Sequence, residues 1–338
     1  MVYGASVMAL VVCGLVGAGE VAARGAQEPP ADGRFDVFAI GHSLNSDIPD
    51  IVAGLWAAER ERQDADAPGG LVPFRFKEQF IPGAPLRWQW EERDRAKEKR
   101  APLEPQFRGA YFEEFAKGGW DALVMVDSVP RGVSLMPETR DYAARFAREA
   151  AAKSPGVRVL IYEPWHCTRS GTPEGCAYDK AETREFTWRE RIDKDAPMWD
   201  QLVADLAKDL STENVDASVV LIPAARGLGL LADAATRGEV PGFAKIEDFF
   251  DDEIHTNPYG KYFVACVHFA VLTGRSPVGL PVDVKDRWGR SYWNTPNWQK
   301  KQWPTPADGA VRRMQELAAE IAGIKDAAPK QETKADGE

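Results

Sequence analysis

Histidine is scarce in this chain. Only four occur in 338 residues, His42, His166, His255 and His268, so any chemistry that needs an imidazole has four places to find one. Cysteine is equally scarce, and His166, Cys167 and Cys176 lack a second close pair at zinc-site spacing, so no metal site is expected. No glycine-rich phosphate loop or dinucleotide fingerprint occurs, and no cofactor is expected. Basic residues are outnumbered, 42 Lys and Arg against 52 Asp and Glu, and the net charge of -10 argues against a nucleic-acid partner. Long apolar runs are missing too. The longest near the start, Val7 to Gly19, is too short to span a bilayer comfortably, so no stable membrane insertion is expected.

What is present begins with that short run. It is followed by Val21-Ala22-Ala23, a small-residue cleavage pattern, and residues 1–23 read as an export signal ahead of a polar linker at 24–34. The expected location is periplasmic or extracellular. In such a compartment Cys167 and Cys176, in the loop "CTRSGTPEGC", should close a disulfide, whereas Cys13 falls in the signal and Cys266 in an apolar helix as a small core residue. At 44% hydrophobic residues the remainder can bury a sizeable core.

Strand and helix patterns then alternate. "RFDVFAIG", "VPFRFKEQFI", "DALVMVDSV", "VRVLIYEPW" and "SVVLIPAA" read as five strands. "IPDIVAGLWAAERERQ", "PETRDYAARFAREAAAK", "MWDQLVADLAKDL" and "PYGKYFVACVHFAVLTG" read as helices, the last capped by Gly274, and "DGAVRRMQELAAEIAGI" as a final amphipathic one. Strands 1, 3, 4 and 5 are mostly apolar rather than alternating, which favours a parallel sheet covered on both faces in an α/β architecture. Sites in such sheets form at the carboxyl ends of the strands. Ser43, Gly83, Asp127 and His166 all fall there.

A serine hydroxyl becomes a nucleophile when a base takes its proton and a third group fixes the base's tautomer. Ser43 follows the first strand in "FAIGHSLNSD". His255 lies in "DDEIHTNPYGKYF", where Asp252, three residues earlier, can reach the imidazole across a tight turn and Asp251 is less well placed. The competing readings are a serine that caps the next helix and a surface histidine in a turn. His268 reads as a satisfied core histidine and His42 as a rim residue. His166, beside Trp165 at the end of the fourth strand, reads either as a substrate contact or as loop structure.

Gly41-His42-Ser43-Leu44 and, late in the chain, Asp252-Glu253-Ile254-His255 resemble the nucleophile and base motifs of the SGNH (GDSL-type) hydrolases. Gly83 in "IPGAPLRWQW" matches the glycine of that family's second block. The resemblance runs from Phe35 to Leu280 and implies one domain over 35–282, a flavodoxin-like three-layer α/β/α sandwich with a mostly parallel five-stranded sheet. A Trp-rich segment and the last helix, 283–324, would pack on it, and 325–338 would form a disordered charged tail. The implied activity is a serine esterase using Ser43, His255 and Asp252 on acyl esters, with the Ser43 and Gly83 N–H groups holding the oxyanion. Where the family carries Gly-x-Asn-Asp after the third strand, this chain has "MVDSVPRG", leaving Ser128 and Asn45 as replacement donors, Asn45 favoured because its amide is fixed. "YEPWHC", "WRERID" and "TGRSPVGLP" resemble exported bacterial members, some of which act on acylated carbohydrates. An O-acetylated carbohydrate is thus the expected substrate, with Trp165 and His166 as substrate contacts. The alternatives are a lipid esterase and a non-catalytic carbohydrate-binding protein. Trp288, Trp293, Trp298 and Trp303 recur every five residues, matching neither a helix nor a strand face. They read as platforms for sugar rings or as pins holding a loop to the domain.

Overall fold

The computed structural model describes residues 33–63, 69–98, 112–176, 185–285, 289–293 and 303–325. The proposed export signal, Cys13, Trp288, Trp298 and the charged tail lie outside them. Five strands form one sheet: β1 (Phe35–Gly41), β2 (Phe74–Phe80), β3 (Ala122–Val126), β4 (Val157–Tyr162) and β5 (Ala217–Ile222). Their order is β2-β1-β3-β4-β5 and every pairing is parallel. This is the flavodoxin-like order, with β1 beside β3 at the point where the winding reverses.

Eight helices are described: α1 (Ile48–Arg62), α2 (Leu86–Lys97), α3 (Phe112–Phe115), α4 (Met136–Ala151), α5 (Trp188–Thr212), α6 (Ala224–Thr236), α7 (Pro258–Thr273) and α8 (Asp308–Ile321). Alternate residues of β1 face opposite layers. Val37 and Ala39 join a core with Ile51 of α1, Leu231 of α6, Phe263 of α7 and Met314 of α8. Phe38 and Ile40 join a second core with Leu86 of α2, Phe146 of α4 and Leu206 of α5. The architecture is the expected three-layer α/β/α sandwich. Among the described residues no helix is long and apolar enough to cross a membrane.

Several elements depart from the sequence reading. The helix expected to begin at Met198 begins at Trp188. Thr187 caps it and forms a reciprocal box with Glu190, and the helix runs on through Pro197. The fifth strand stops at Ile222, because Pro223 and the small residues after it start α6, a helix the strand pattern had concealed. α2 was not anticipated either, since its sequence is almost entirely charged or aromatic.

The register brings the strand ends level. Gly41 pairs with Phe80, Val126 with Tyr162, and Tyr162 with Ile222. The turns that follow β1, β2, β3 and β4 therefore meet along one edge of the sheet. α8 lies on α6 and α7, where the Gln315 amide donates to the Tyr262 hydroxyl at 2.8 Å and to the Leu280 carbonyl at 2.7 Å.

Candidate active site

β1 ends on Gly41 for a steric reason. A Cβ there would sit 3.0 Å from both the Asn45 Cβ and a Val126 methyl. The chain then passes through extended His42 into a single 3-10 turn, Ser43–Asn45. His42 fixes this turn from beneath. Its Nε2 donates to the Asp127 carbonyl at 2.9 Å, which leaves Nδ1 to accept from the Leu44 N–H at 3.4 Å. Burial holds its pKa below the ordinary histidine value, against the pull of Asp127, so the ring is a neutral strut. His42 is thus not a rim residue: it is buried between the first and third strand ends.

The second half of the site is a turn that Asp252 builds around itself. Its Oδ1 accepts from the Ile254 N–H at 2.8 Å and the His255 N–H at 2.6 Å, the usual way a short carboxylate replaces a backbone turn. Its Oδ2 then faces His255 Nδ1 at 2.8 Å. The turn runs directly into α7, whose amino end is capped by the Asn257 side chain and begins with Pro258. Gly260 is required there, because a Cβ would lie 2.4 Å from the Phe249 carbonyl.

These two turns meet. His255 Nε2 lies 2.9 Å from Ser43 Oγ, across 212 residues of sequence. Since Asp252 can only accept while ionised, Nδ1 carries the proton and Nε2 is free to accept from the Ser43 hydroxyl. Burial alone would raise the Asp252 pKa. The hydrogen bonds from His255 and Ile254 outweigh it and hold the carboxyl below its ordinary value. The His255 and Asp252 side chains are 38% and 45% exposed, so the relay opens directly to solvent.

The oxyanion candidates fare unequally. Gly83 adopts φ +64° with open space where a side chain would be. No hydrogen bond engages its N–H, or that of Ser43, among the described residues. Asn45 does not serve as the sequence reading expected. Its side chain is 2% exposed and lies over Gly41, on the layer of the sheet that faces α1 and α7. There it lines a narrow cavity of about 20 Å³ with Val37, Ala39, Val124 and His268. The proximity to Ser43 in sequence misleads, because the 3-10 turn rotates Asn45 inward. Ser128 is half-buried, and its backbone N–H is spent on Asp127 Oδ1 at 2.8 Å.

Asp127 itself is a structural hub. Its carboxylate also accepts from the Leu86 N–H at the start of α2, from Arg131 at 2.6 Å and from the Thr139 hydroxyl at 2.6 Å. Four donors on one buried carboxylate tie α2 and α4 to the third strand end.

Trp165 and His166 are likewise not substrate contacts. Trp165 is fully buried and its indole N–H donates to the Ile254 carbonyl at 2.7 Å, behind the base turn. His166 is buried with Nε2 on Asp195 at 2.6 Å, and Arg191 shares the same carboxylate oxygen. Cys167 and Cys176 form a disulfide immediately after it. His268 is a core residue, T-shaped against Tyr162, but it is not satisfied: its Nε2 has no partner among the described residues. Burial pushes its pKa down to about 3. Trp293 donates to the Val282 carbonyl, and Trp303 packs edge-on against Tyr259 of α7, so these two pin their segment to the domain.

No family model and no curated protein matches the chain. Among solved structures it is similar to a DUF4886 family protein from Bacteroides uniformis, with 15% identity and a TM-score of 0.46 over 86% of this chain and 96% of that one. An acetyl xylan esterase, AlAXEase, gives 12% identity and a TM-score of 0.39 over 68% and 96%. A candidate SGNH hydrolase from Slackia heliotrinireducens gives 20% and 0.37 over 70% and 97%.

Proposed function

We propose that this protein is an exported serine esterase that hydrolyses acyl esters, acetyl esters on carbohydrate in the first place. The observation that carries the reading is the continuous relay from Ser43 Oγ to His255 Nε2, 2.9 Å, and from His255 Nδ1 to Asp252, 2.8 Å. A strand-end serine with only a capping role has no need of a histidine so oriented. The motif resemblance supports the same chemistry independently.

In this mechanism Ser43 Oγ attacks the ester carbonyl carbon as its proton passes to His255 Nε2. The carbonyl oxygen becomes the oxyanion, and the N–H groups of Ser43 and Gly83 are the donors available to it. The imidazolium then gives the proton to the departing alkoxide, and the alcohol leaves. Water, deprotonated by His255, releases the acyl group and restores Ser43. Asp252 holds the productive tautomer throughout and favours the transient positive charge on the ring.

The exposure of His255 and Asp252 favours a small acyl group on a bulky alcohol, because such an alcohol can remain in solvent. A long lipid chain would need apolar cover beside the serine. The disulfide supports an oxidising compartment. The test is fluorophosphonate labelling with mapping of the modified residue, together with acetyl-ester turnover. Ser43→Ala and His255→Ala should each abolish nearly all turnover, Asp252→Asn should cost less, and the Ser43/His255 double variant should be hardly worse than either single one. Wild-type turnover in folded Ser43→Ala would refute the reading.

A further inference from the structure

The two halves of the relay come from turns 212 residues apart, and one segment holds both. Tyr162, the last residue of β4, donates its hydroxyl to the Leu44 carbonyl at 3.0 Å. Leu44 directly follows the serine. Three residues on, Trp165 donates to the carbonyl of Ile254, which directly precedes the histidine, at 2.7 Å. Thr168 then donates its backbone N–H to the Glu253 carbonyl, also at 2.7 Å.

The segment is itself held firmly. β4 is hydrogen-bonded on both sides, to β3 and β5, and Glu163 N–H continues the ladder to the Ile222 carbonyl. The His166 carbonyl accepts from the Trp188 indole, and Cys167 is closed into the disulfide. Both Tyr162 and Trp165 are enclosed, so neither meets substrate.

We propose that Tyr162–Thr168 is a positioning element that sets the separation of Ser43 and His255 by gripping the backbone on either side of the relay. This rests on the esterase reading above. A proton transfer of this kind needs a heavy-atom separation of roughly 2.6–3.2 Å, and a misplacement of about 1 Å can cost on the order of a hundredfold in rate. Releasing either carbonyl lets its turn drift while the substrate surface stays intact. The loss should therefore fall on kcat rather than KM.

The experiment compares Tyr162→Phe and Trp165→Phe with Trp120→Phe in the full chain. Trp120 is also buried and also donates its indole N–H to a carbonyl, that of Phe115 at 3.2 Å, but it precedes β3 at the opposite end of the sheet. Tm, kcat and KM on an acetyl ester, and the rate of fluorophosphonate inactivation are measured for each. The last reads Ser43 reactivity without substrate binding. All three variants should lose Tm. Tyr162→Phe and Trp165→Phe should also lose roughly ten- to a hundredfold in kcat and in inactivation rate, with KM within about twofold, whereas Trp120→Phe should keep both rates. If Trp165→Phe does not fold, Tyr162→Phe, which removes one oxygen atom, decides alone. Inactive Ser43→Ala alongside unchanged kcat in the Tyr162 and Trp165 variants would overturn the positioning role and leave the esterase reading standing. Active Ser43→Ala would overturn both.

Discussion

Two buried groups should give the protein's stability opposite dependences on pH, and each can be isolated by one substitution. His268 is enclosed against Tyr162, its Nε2 without a partner among the described residues, and burial lowers its pKa from 6.5 to about 3. The unfolded chain takes up a proton below pH 6.5 that the folded chain refuses until about 3. Its contribution is therefore present above pH 6.5 and is lost as pH falls toward 3. Glu163 is displaced the other way. Burial raises its pKa from 4.5 to about 7, against the pull of the Arg226 guanidinium 3.1 Å away. Here the folded chain holds a proton that the unfolded chain has released, so the contribution is present below pH 4.5 and is lost as pH rises through 7. At about 1.4 kcal/mol per pH unit, the displacement of His268 corresponds to on the order of 5 kcal/mol and that of Glu163 to about 3 kcal/mol.

Between pH 4.5 and 6.5 the two slopes oppose and nearly cancel. Below that window the His268 slope is unopposed by Glu163, and His42 and Asp252, whose pKa values are also lowered, act in the same direction. The assay is urea unfolding at intervals from pH 3 to 8, read as the slope of ΔG against pH rather than its height, because each substitution also changes packing. His268→Leu should flatten the acid-side rise, leaving the part due to His42 and Asp252, and expose a fall from pH 4.5 to 7. Glu163→Gln should remove that fall and leave a rise from pH 3 to 6.5. An unchanged acid limb in His268→Leu would mean that the imidazole is not held neutral by its enclosure. An unchanged slope above pH 4.5 in Glu163→Gln would mean that Arg226 keeps Glu163 ionised in the folded chain.

The oxyanion site yields a contrast. Asn45→Ala should lower Tm and leave kcat within severalfold, because its amide faces the core, whereas Ser128→Ala should lower kcat by about 10²–10³-fold if its hydroxyl is the third donor; steady-state kinetics on one acetyl ester decides. The Cys167–Cys176 disulfide closes a loop over a sequence separation of 9, and its chain-entropy contribution is on the order of 2–3 kcal/mol. Reduction should lower the urea midpoint accordingly, and non-reducing peptide mapping should find the two cysteines linked; free thiols in protein from its native compartment would contradict this.

The parts of this protein that were legible in its sequence are those set by local pattern. Four mostly apolar runs announce a parallel sheet, because a strand covered on both faces has no consistently polar side to show. Asp252 and His255 are legible because a three-residue spacing suffices for one carboxylate to bond both the turn and the ring. The start of α5 was legible in principle, since Thr187 and Glu190 spell a capping box, but Pro197 inside the helix draws the eye to a later beginning. The misread residues are those whose role depends on which way a turn rotates them. Asn45 is two residues from the serine and points into the core. Trp165 and His166 stand at the right end of the sheet and face inward.

Asp127 shows why such residues resist a reading by motif. At the third strand end the sequence offers a carboxylate where an amide donor was sought, and taken alone that reads as a deficit at the active site. The structure gives the carboxylate four donors from α2, α4 and its own turn, and gives its backbone carbonyl the His42 ring that braces the serine turn. A neutral amide could not accept from all four, and replacing the carboxylate would strand the buried Arg131 without its closest partner. The residue is therefore committed to holding the edge of the sheet together. In the proposed mechanism the oxyanion falls to groups that this framework does not use, and the N–H groups of Ser43 and Gly83, which no hydrogen bond engages among the described residues, are the candidates.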